Sequence, residues 1–155
     1  MNEHSVVLST PRPPDEVFAV LRRQERFAEQ ADDLESVEVV ADGEHRYALR
    51  FRGGVARWTQ RTEVDVESRT LRFEQVEGDF VDLGGAWEVQ ATDGGSRVVH
   101  RVSFRTAVPH LAGAIDPMIA RVLLRAATSV VTRSAGPAEV VEGGSALRDE
   151  VFSTA

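Results

Sequence analysis

The stretch RVVHRVSFR, residues 97–105, sorts its side chains by parity. Val98, His100, Val102 and Phe104 fall on one side of an extended chain, and Arg97, Val99, Arg101, Ser103 and Arg105 on the other. Successive strand side chains point to opposite faces, so the first set predicts a buried face and the second a solvated one. His100 is the odd member, because it places an imidazole among apolar side chains.

The same pattern repeats upstream. RYALRFR (46–52) puts Tyr47, Leu49 and Phe51 on one face, and RWTQRTEV (57–64) does so with Trp58, Gln60, Thr62 and Val64. RTLRFEQVE (69–77) turns Leu71, Phe73 and Gln75 inward, and LGGAWEVQ (83–90) turns Leu83, Gly85, Trp87 and Val89 inward. From Leu34 onward, six such segments are separated by turn signals at Asp42-Gly43, Gly53-Gly54, residues 67–69, Gly78-Asp79 and Asp93-Gly94-Gly95. Short, regular spacing with Gly-bearing turns predicts an antiparallel meander. HSVVLST (4–10) adds a first strand, for seven in all.

Helices flank the sheet in sequence. Pro13 and Pro14 before Asp15 and Glu16 predict a helix start, with Val17, Phe18, Val20 and Leu21 as its apolar stripe. ERFAEQADD (25–33) predicts a second short helix around Phe27. Asp116-Pro117 reads as an N-cap followed by proline at the first helical position. Ile119, Val122, Leu123, Ala126 and Val130 then recur at helical spacing to about Ser134, with Arg121 and Arg125 on another face. Gly136 and Pro137 end that helix, and the small, polar remainder predicts a loosely ordered tail over residues 136–155. The fold class is therefore α+β: one domain over residues 1–135, a curved seven-stranded antiparallel sheet around a long C-terminal helix, with two short helices after the first strand.

Composition narrows the function. Twenty-five acids against eighteen bases give a net charge of −7, which disfavours nucleic acid as a partner. The absence of Cys excludes disulfides, thiol catalysis and Cys-ligated zinc. The N-terminal residues lack a secretion pattern and no apolar run approaches a membrane span, so the expectation is a cytoplasmic protein. No HExxH, paired-carboxylate or phosphate-loop motif is present.

A curved sheet closed by an apolar helix encloses an interior, and the inward set here is mixed. Trp58, Trp87, Phe73, Tyr47 and Phe51 share it with Gln60, Thr62, Gln75, Gly85 and His100. Each unpartnered buried polar group costs about 1–3 kcal/mol, so this mixture predicts a ligand cavity, with space made at Gly84-Gly85-Ala86. His4 and His45 read as surface residues. His110, beside Pro109, reads as part of a cavity mouth or a loop.

Four segments, PPDEVFAVL (13–21), RWTQR (57–61), SRTLRFEQVE (68–77) and GGAWEVQATDGGSRVVHRVSF (84–104), resemble in order and spacing the START-like, helix-grip superfamily. Within it the polyketide aromatase/cyclases of actinobacteria are most similar, over about residues 5–135. The resemblance implies a cavity that folds a poly-β-keto chain and promotes aldol ring closure and dehydration in antibiotic biosynthesis. It implies no metal or organic cofactor, and an acyl carrier protein as the partner that delivers the chain. It places Phe27, Trp58, Gln60, Thr62, Gln75 and Trp87 in the pocket.

The chain departs from the family where charge matters. An inward Arg expected four residues after the strand tryptophan is Thr62 here, and a second expected on the next strand is Gln75. Oxyanion stabilisation by those cations is missing or relocated. His100 then becomes the candidate catalytic group, with Gln60 and Thr62 as proton relay or carbonyl anchors, and Phe27, Trp58, Gln75 and Trp87 as ligand contacts. A simpler role for His100 is to donate to a backbone carbonyl and pack. The alternative function is a carrier for a quinone, lipid or other hydrophobic metabolite, which the missing arginines favour. A stress, immunity or accessory protein with a regulatory ligand is a third reading.

Overall fold

The computed structural model describes residues 2–106, 112–136 and 138–143. Eight strands form one sheet: β1 (Asn2–Thr10), β2 (Leu34–Ala41), β3 (Glu44–Phe51), β4 (Gly54–Asp65), β5 (Thr70–Gly78), β6 (Phe80–Thr92), β7 (Gly95–Thr106) and β8 (Glu139–Glu142). Their order is β2-β3-β4-β5-β6-β7-β1-β8, and every neighbouring pair is antiparallel. The helices are α1 (Pro14–Leu21), α2 (Phe27–Gln30, after a 3-10 turn at Gln24–Arg26) and α3 (Ala112–Ser134).

The meander from β2 to β7 follows the alternating sequence pattern, because each hairpin hands the chain to its neighbour with parity preserved. Tyr47 lies opposite Trp58, Trp87 opposite His100, and Val6 opposite His100 on the other side. Inward side chains from these strands meet the apolar side of α3, where Ile119, Val122, Leu124, Ala127, Val130 and Val131 are buried. Phe104 and Leu8 are wholly inaccessible. Phe104 also packs against His4 and edge-on against Phe80, with centroids 5.7 and 5.6 Å away. Arg125 fixes the outer side of α3 with two hydrogen bonds to the Asp33 carboxylate, at 2.8 and 3.0 Å.

Two expectations are corrected. The sheet has eight strands, not seven, because Glu139–Glu142, within the stretch read as a loose tail, pairs with the outer edge of β1. That pairing gives partners to an edge that would otherwise present open backbone groups. In addition, α3 begins before the Asp116-Pro117 pair and carries Pro117 in its second turn. A proline so near a helix start removes one backbone bond without ending the helix. His110 and residues 144–155 lie outside the described residues.

Truncating Phe104 tests this core. Phe104→Ala should lower unfolding free energy by about 3–5 kcal/mol, read as a shift in the urea midpoint with unchanged slope.

Candidate functional site

His100 sits at the middle of β7, and its nearest ring neighbours come from β6 beside it and from β5 one strand further on. Trp87 on β6 lies 4.1 Å away between centroids, and Phe73 on β5 stacks at 5.9 Å with 15° between planes. Phe27 of α2 closes over Trp87 edge-on at 6.2 Å. These rings, with Leu123, Ala126 and Val130 of α3, surround a cavity of about 60 Å³ between helix and sheet. His100 lines that cavity and is 6% exposed, and its Nδ1 has no hydrogen-bond partner in the protein. Burial among apolar groups disfavours the imidazolium and pushes the His100 pKa down to about 3. The side chain is therefore neutral at physiological pH.

A polar cluster built on Gln24 from the 3-10 turn continues the cavity wall through Tyr47 and Gln60. Gln24 Oε1 accepts from Tyr47 Oη at 2.5 Å and from Gln60 Nε2 at 3.1 Å. Its amide nitrogen donates to Thr62 Oγ1 at 3.0 Å. Gln60 Oε1 in turn accepts from Trp58 Nε1 at 2.9 Å. Tyr47 and Trp58 also stack, 5.2 Å apart and 7° from parallel. Burial and the nearby Glu25 carboxylate hold the Tyr47 phenol well above its usual range, so it remains a donor.

The sequence-predicted residues divide accordingly. Phe27, Gln60, Trp87 and His100 line the cavity, whereas Trp58, Thr62 and Gln75 do not. Trp58 and Thr62 belong to the Gln24 cluster. Gln75 is an inward-parity residue whose amide binds both backbone groups of Phe80, donating to the carbonyl at 2.9 Å and accepting from the N–H at 3.3 Å. Arg61 points outward and pairs with Glu44 at 2.8 Å, so it supplies no cation to the interior.

The interior is also smaller than its residue types implied. A Cβ on Gly85 would lie 2.7 Å from the Phe73 ring and 2.1 Å from the Arg101 carbonyl oxygen. The space freed by that glycine is thus filled by Phe73 and backbone.

Three residues were misjudged or missed. His45 is 8% exposed and His4 is partly buried; desolvation lowers the pKa of each, opposed by Glu25 for His45 and by Asp116 for His4. Their parity with Tyr47 and with Val6 was a usable signal. Gln24 had none, because a one-turn helix carries no periodicity. Among the described residues no group of His, Asp and Glu side chains is arranged to hold a metal ion, and no helix is long and apolar enough to cross a membrane.

A curved antiparallel sheet gripping one long helix, with an aromatic interior between them, defines the START-like, polyketide cyclase-type fold. Residues 10–131 match the family described as Polyketide cyclase / dehydrase and lipid transport, and the chain belongs to that family. No curated protein matches it. Among solved structures, it is similar to TTHA0849 from Thermus thermophilus, with TM-score 0.76, 23% identity and 99% of each chain covered. It is similar to the Zhui aromatase/cyclase from Streptomyces sp. R1128, with TM-score 0.59, 21% identity, and 87% of this chain and 96% of that one covered. A START superfamily protein from Mycobacterium smegmatis aligns with TM-score 0.72 at 10% identity, covering 86% and 96%. At these identities the likenesses establish the fold.

Two measurements check the site. Gln24→Leu leaves Tyr47, Gln60 and Thr62 without their shared partner. It should destabilise by more than the ~1–3 kcal/mol of a single unpartnered group, while Thr62→Val costs less, both read by urea unfolding. The His100 effect has a definite sign. Its folded pKa lies below the unfolded value, so the unfolded state binds more protons between pH 6.5 and about 3. Stability from neutral His100 is complete above pH 6.5 and falls on acidification, by up to ~1.4 kcal/mol per pH unit. The stability–pH slope of the native protein minus that of His100→Gln isolates this contribution and should be positive across that window.

Proposed function

We propose that this protein binds a hydrophobic, oxygen-bearing ligand of the polyketide or polycyclic phenol class between α3 and the sheet, with His100 as its hydrogen-bonding anchor. The observation that carries the reading is the unpartnered Nδ1 of His100, buried beside Trp87 and Phe73 on the cavity wall. A buried donor or acceptor left without a partner is unfavourable by about 1–3 kcal/mol, and a ligand hydroxyl or carbonyl removes that penalty on binding. The aromatic walls supply apolar area, and the anchor supplies orientation. Ligand pockets are typically about 300–1,000 Å³, so a cavity of about 60 Å³ must widen to admit a ring compound.

Binding ranks ahead of turnover on chemical grounds. A general base works best when its pKa lies near the working pH, and an imidazole near 3 is a weak proton acceptor at neutrality. Thr62 does not line the cavity, and Gln60 already donates one amide N–H to Gln24 and accepts from Trp58, which leaves one N–H for a ligand carbonyl. The second reading, aldol cyclisation with dehydration, is favoured by the family to which residues 10–131 belong. In that reading neutral His100 Nδ1 takes a proton from a methylene flanked by two ligand carbonyls. The resulting enolate attacks a third carbonyl, and the imidazolium returns the proton to the alkoxide; removal of a second α-proton by His100 then expels the hydroxyl, which takes that proton from the imidazolium and leaves as water. A ligand that raises the His100 pKa by bringing a developing negative charge beside it would make this step feasible.

Tryptophan fluorescence separates the outcomes. Titration with 2-naphthol should quench emission saturably through Trp87, with decanoate and a short-chain ubiquinone weaker. His100→Phe, with unchanged circular dichroism, should weaken 2-naphthol binding about tenfold or more. Equal affinity in His100→Phe would contradict the anchoring role, and a preference for the quinone or decanoate would reassign the ligand class.

A further inference from the structure

We propose that Gln60 is a second anchor of the cavity, held by Trp58 so that it offers only a hydrogen, and that it selects ligands bearing a carbonyl there. This rests on the reading that the interior takes a ligand. It adds a specificity-determining residue and the second functional group that the ligand carries.

The direction of the Gln60 amide follows from its neighbours. An indole N–H can donate but not accept, so the atom 2.9 Å from Trp58 Nε1 must be Gln60 Oε1. The amide nitrogen then faces Gln24 Oε1 at 3.1 Å and donates to it. Gln24 cannot reverse in turn, because its nitrogen would meet the Gln60 nitrogen, donor against donor. Trp58 is itself fixed, stacked on Tyr47 at 5.2 Å and met edge-on by Phe80 at 5.5 Å. One indole therefore sets the polarity of the whole chain from Trp58 through Gln60 to Gln24.

That arrangement leaves one group unused. A primary amide has two N–H groups, and Gln60 spends one on Gln24. Its oxygen is engaged by Trp58, and the residue is 4% exposed. The second N–H, on a residue that lines the cavity, has no acceptor among the described residues. An acceptor oxygen on the ligand satisfies it, and a methylene does not.

Gln60 and His100 stand apart, on β4 and β7, with β5 and β6 between them. Phe27, Leu49, Leu83 and Leu123 are among the apolar side chains lining the same cavity. No charged side chain belongs to the lining, so a carboxylate would enter without a counter-charge. The ligand class is therefore an uncharged ring or keto skeleton, with a carbonyl toward β4 and a hydroxyl or carbonyl toward β7. Trp58 does not line the cavity and acts through Gln60, as a positioning residue.

Two probes that differ at one carbon isolate this contact. They are 6-hydroxy-2-tetralone and 5,6,7,8-tetrahydro-2-naphthol, the same bicyclic phenol with and without a ketone that is not conjugated to the ring. Calorimetric titration of the native protein should give the ketone about tenfold tighter binding, the value of one hydrogen bond from a buried donor. Gln60→Met keeps the length and bulk without an N–H, and should bring the ratio of affinities to about one. Trp58→Phe frees the amide to rotate and should lower the ratio about threefold or more, and it gives a second reading should Gln60→Met fail to fold. His100→Phe should weaken both probes alike and keep the ratio, since both carry the phenol. A general loosening of the fold moves both affinities together and leaves the ratio where it was. A native ratio near one, or a tenfold ratio that survives Gln60→Met, would overturn the anchor. The full native ratio in Trp58→Phe would overturn the positioning role. Binding of neither probe by the native protein would instead overturn the ligand-binding reading, and the Gln60 anchor with it.

Discussion

Closing a curved sheet with an apolar helix imposes a rule on every inward polar atom: its partner must come from inside the shell. The Gln24 cluster obeys it for Tyr47, Trp58, Gln60 and Thr62, drawing a 3-10 turn, β3 and β4 into one hydrogen-bonded unit. Gln75 obeys it by holding the Phe80 backbone. His100 does not, since its Nδ1 has no partner in the protein. His4 Nε2 and His45 Nδ1 are likewise buried without a partner, but neither residue lines the cavity, so His100 carries the unpartnered atom on the cavity wall.

The same rule explains the chemistry that the interior favours. The two positions where the resemblance expects inward arginines are Thr62 and Gln75, and among the described residues desolvation alone shifts the His100 imidazole. Burial then keeps the imidazole neutral. A neutral imidazole between Trp87 and Phe73 suits a hydroxyl or carbonyl on an apolar framework. It is poorly matched to an anionic head group.

Much of this was legible in the sequence because strand parity is a strong signal. The inward sets on β3 to β7 were read from alternation alone, and the turn residues located the hairpins. His100 was identified as inward for the same reason, and parity could also have placed His4 and His45. Other features had no such carrier. Gln24 sits on a single turn, and Gln75 has the parity of a pocket residue but bonds along the hairpin. The filling of Gly85 by Phe73 is a packing fact, since a missing side chain leaves space for protein as readily as for ligand. Pro117 misled the reading of α3 because proline near a helix start can be either its first residue or a tolerated one.

The central claim is that His100 is held neutral and unpartnered by the interior. Its titration, followed by the ring carbon and nitrogen chemical shifts in nuclear magnetic resonance, addresses that claim without any ligand. The account predicts a neutral ring down to about pH 4, with a midpoint near 3. A midpoint between 6 and 7, near the ordinary histidine value, would show that water or a charged partner reaches the imidazole, and would contradict the account.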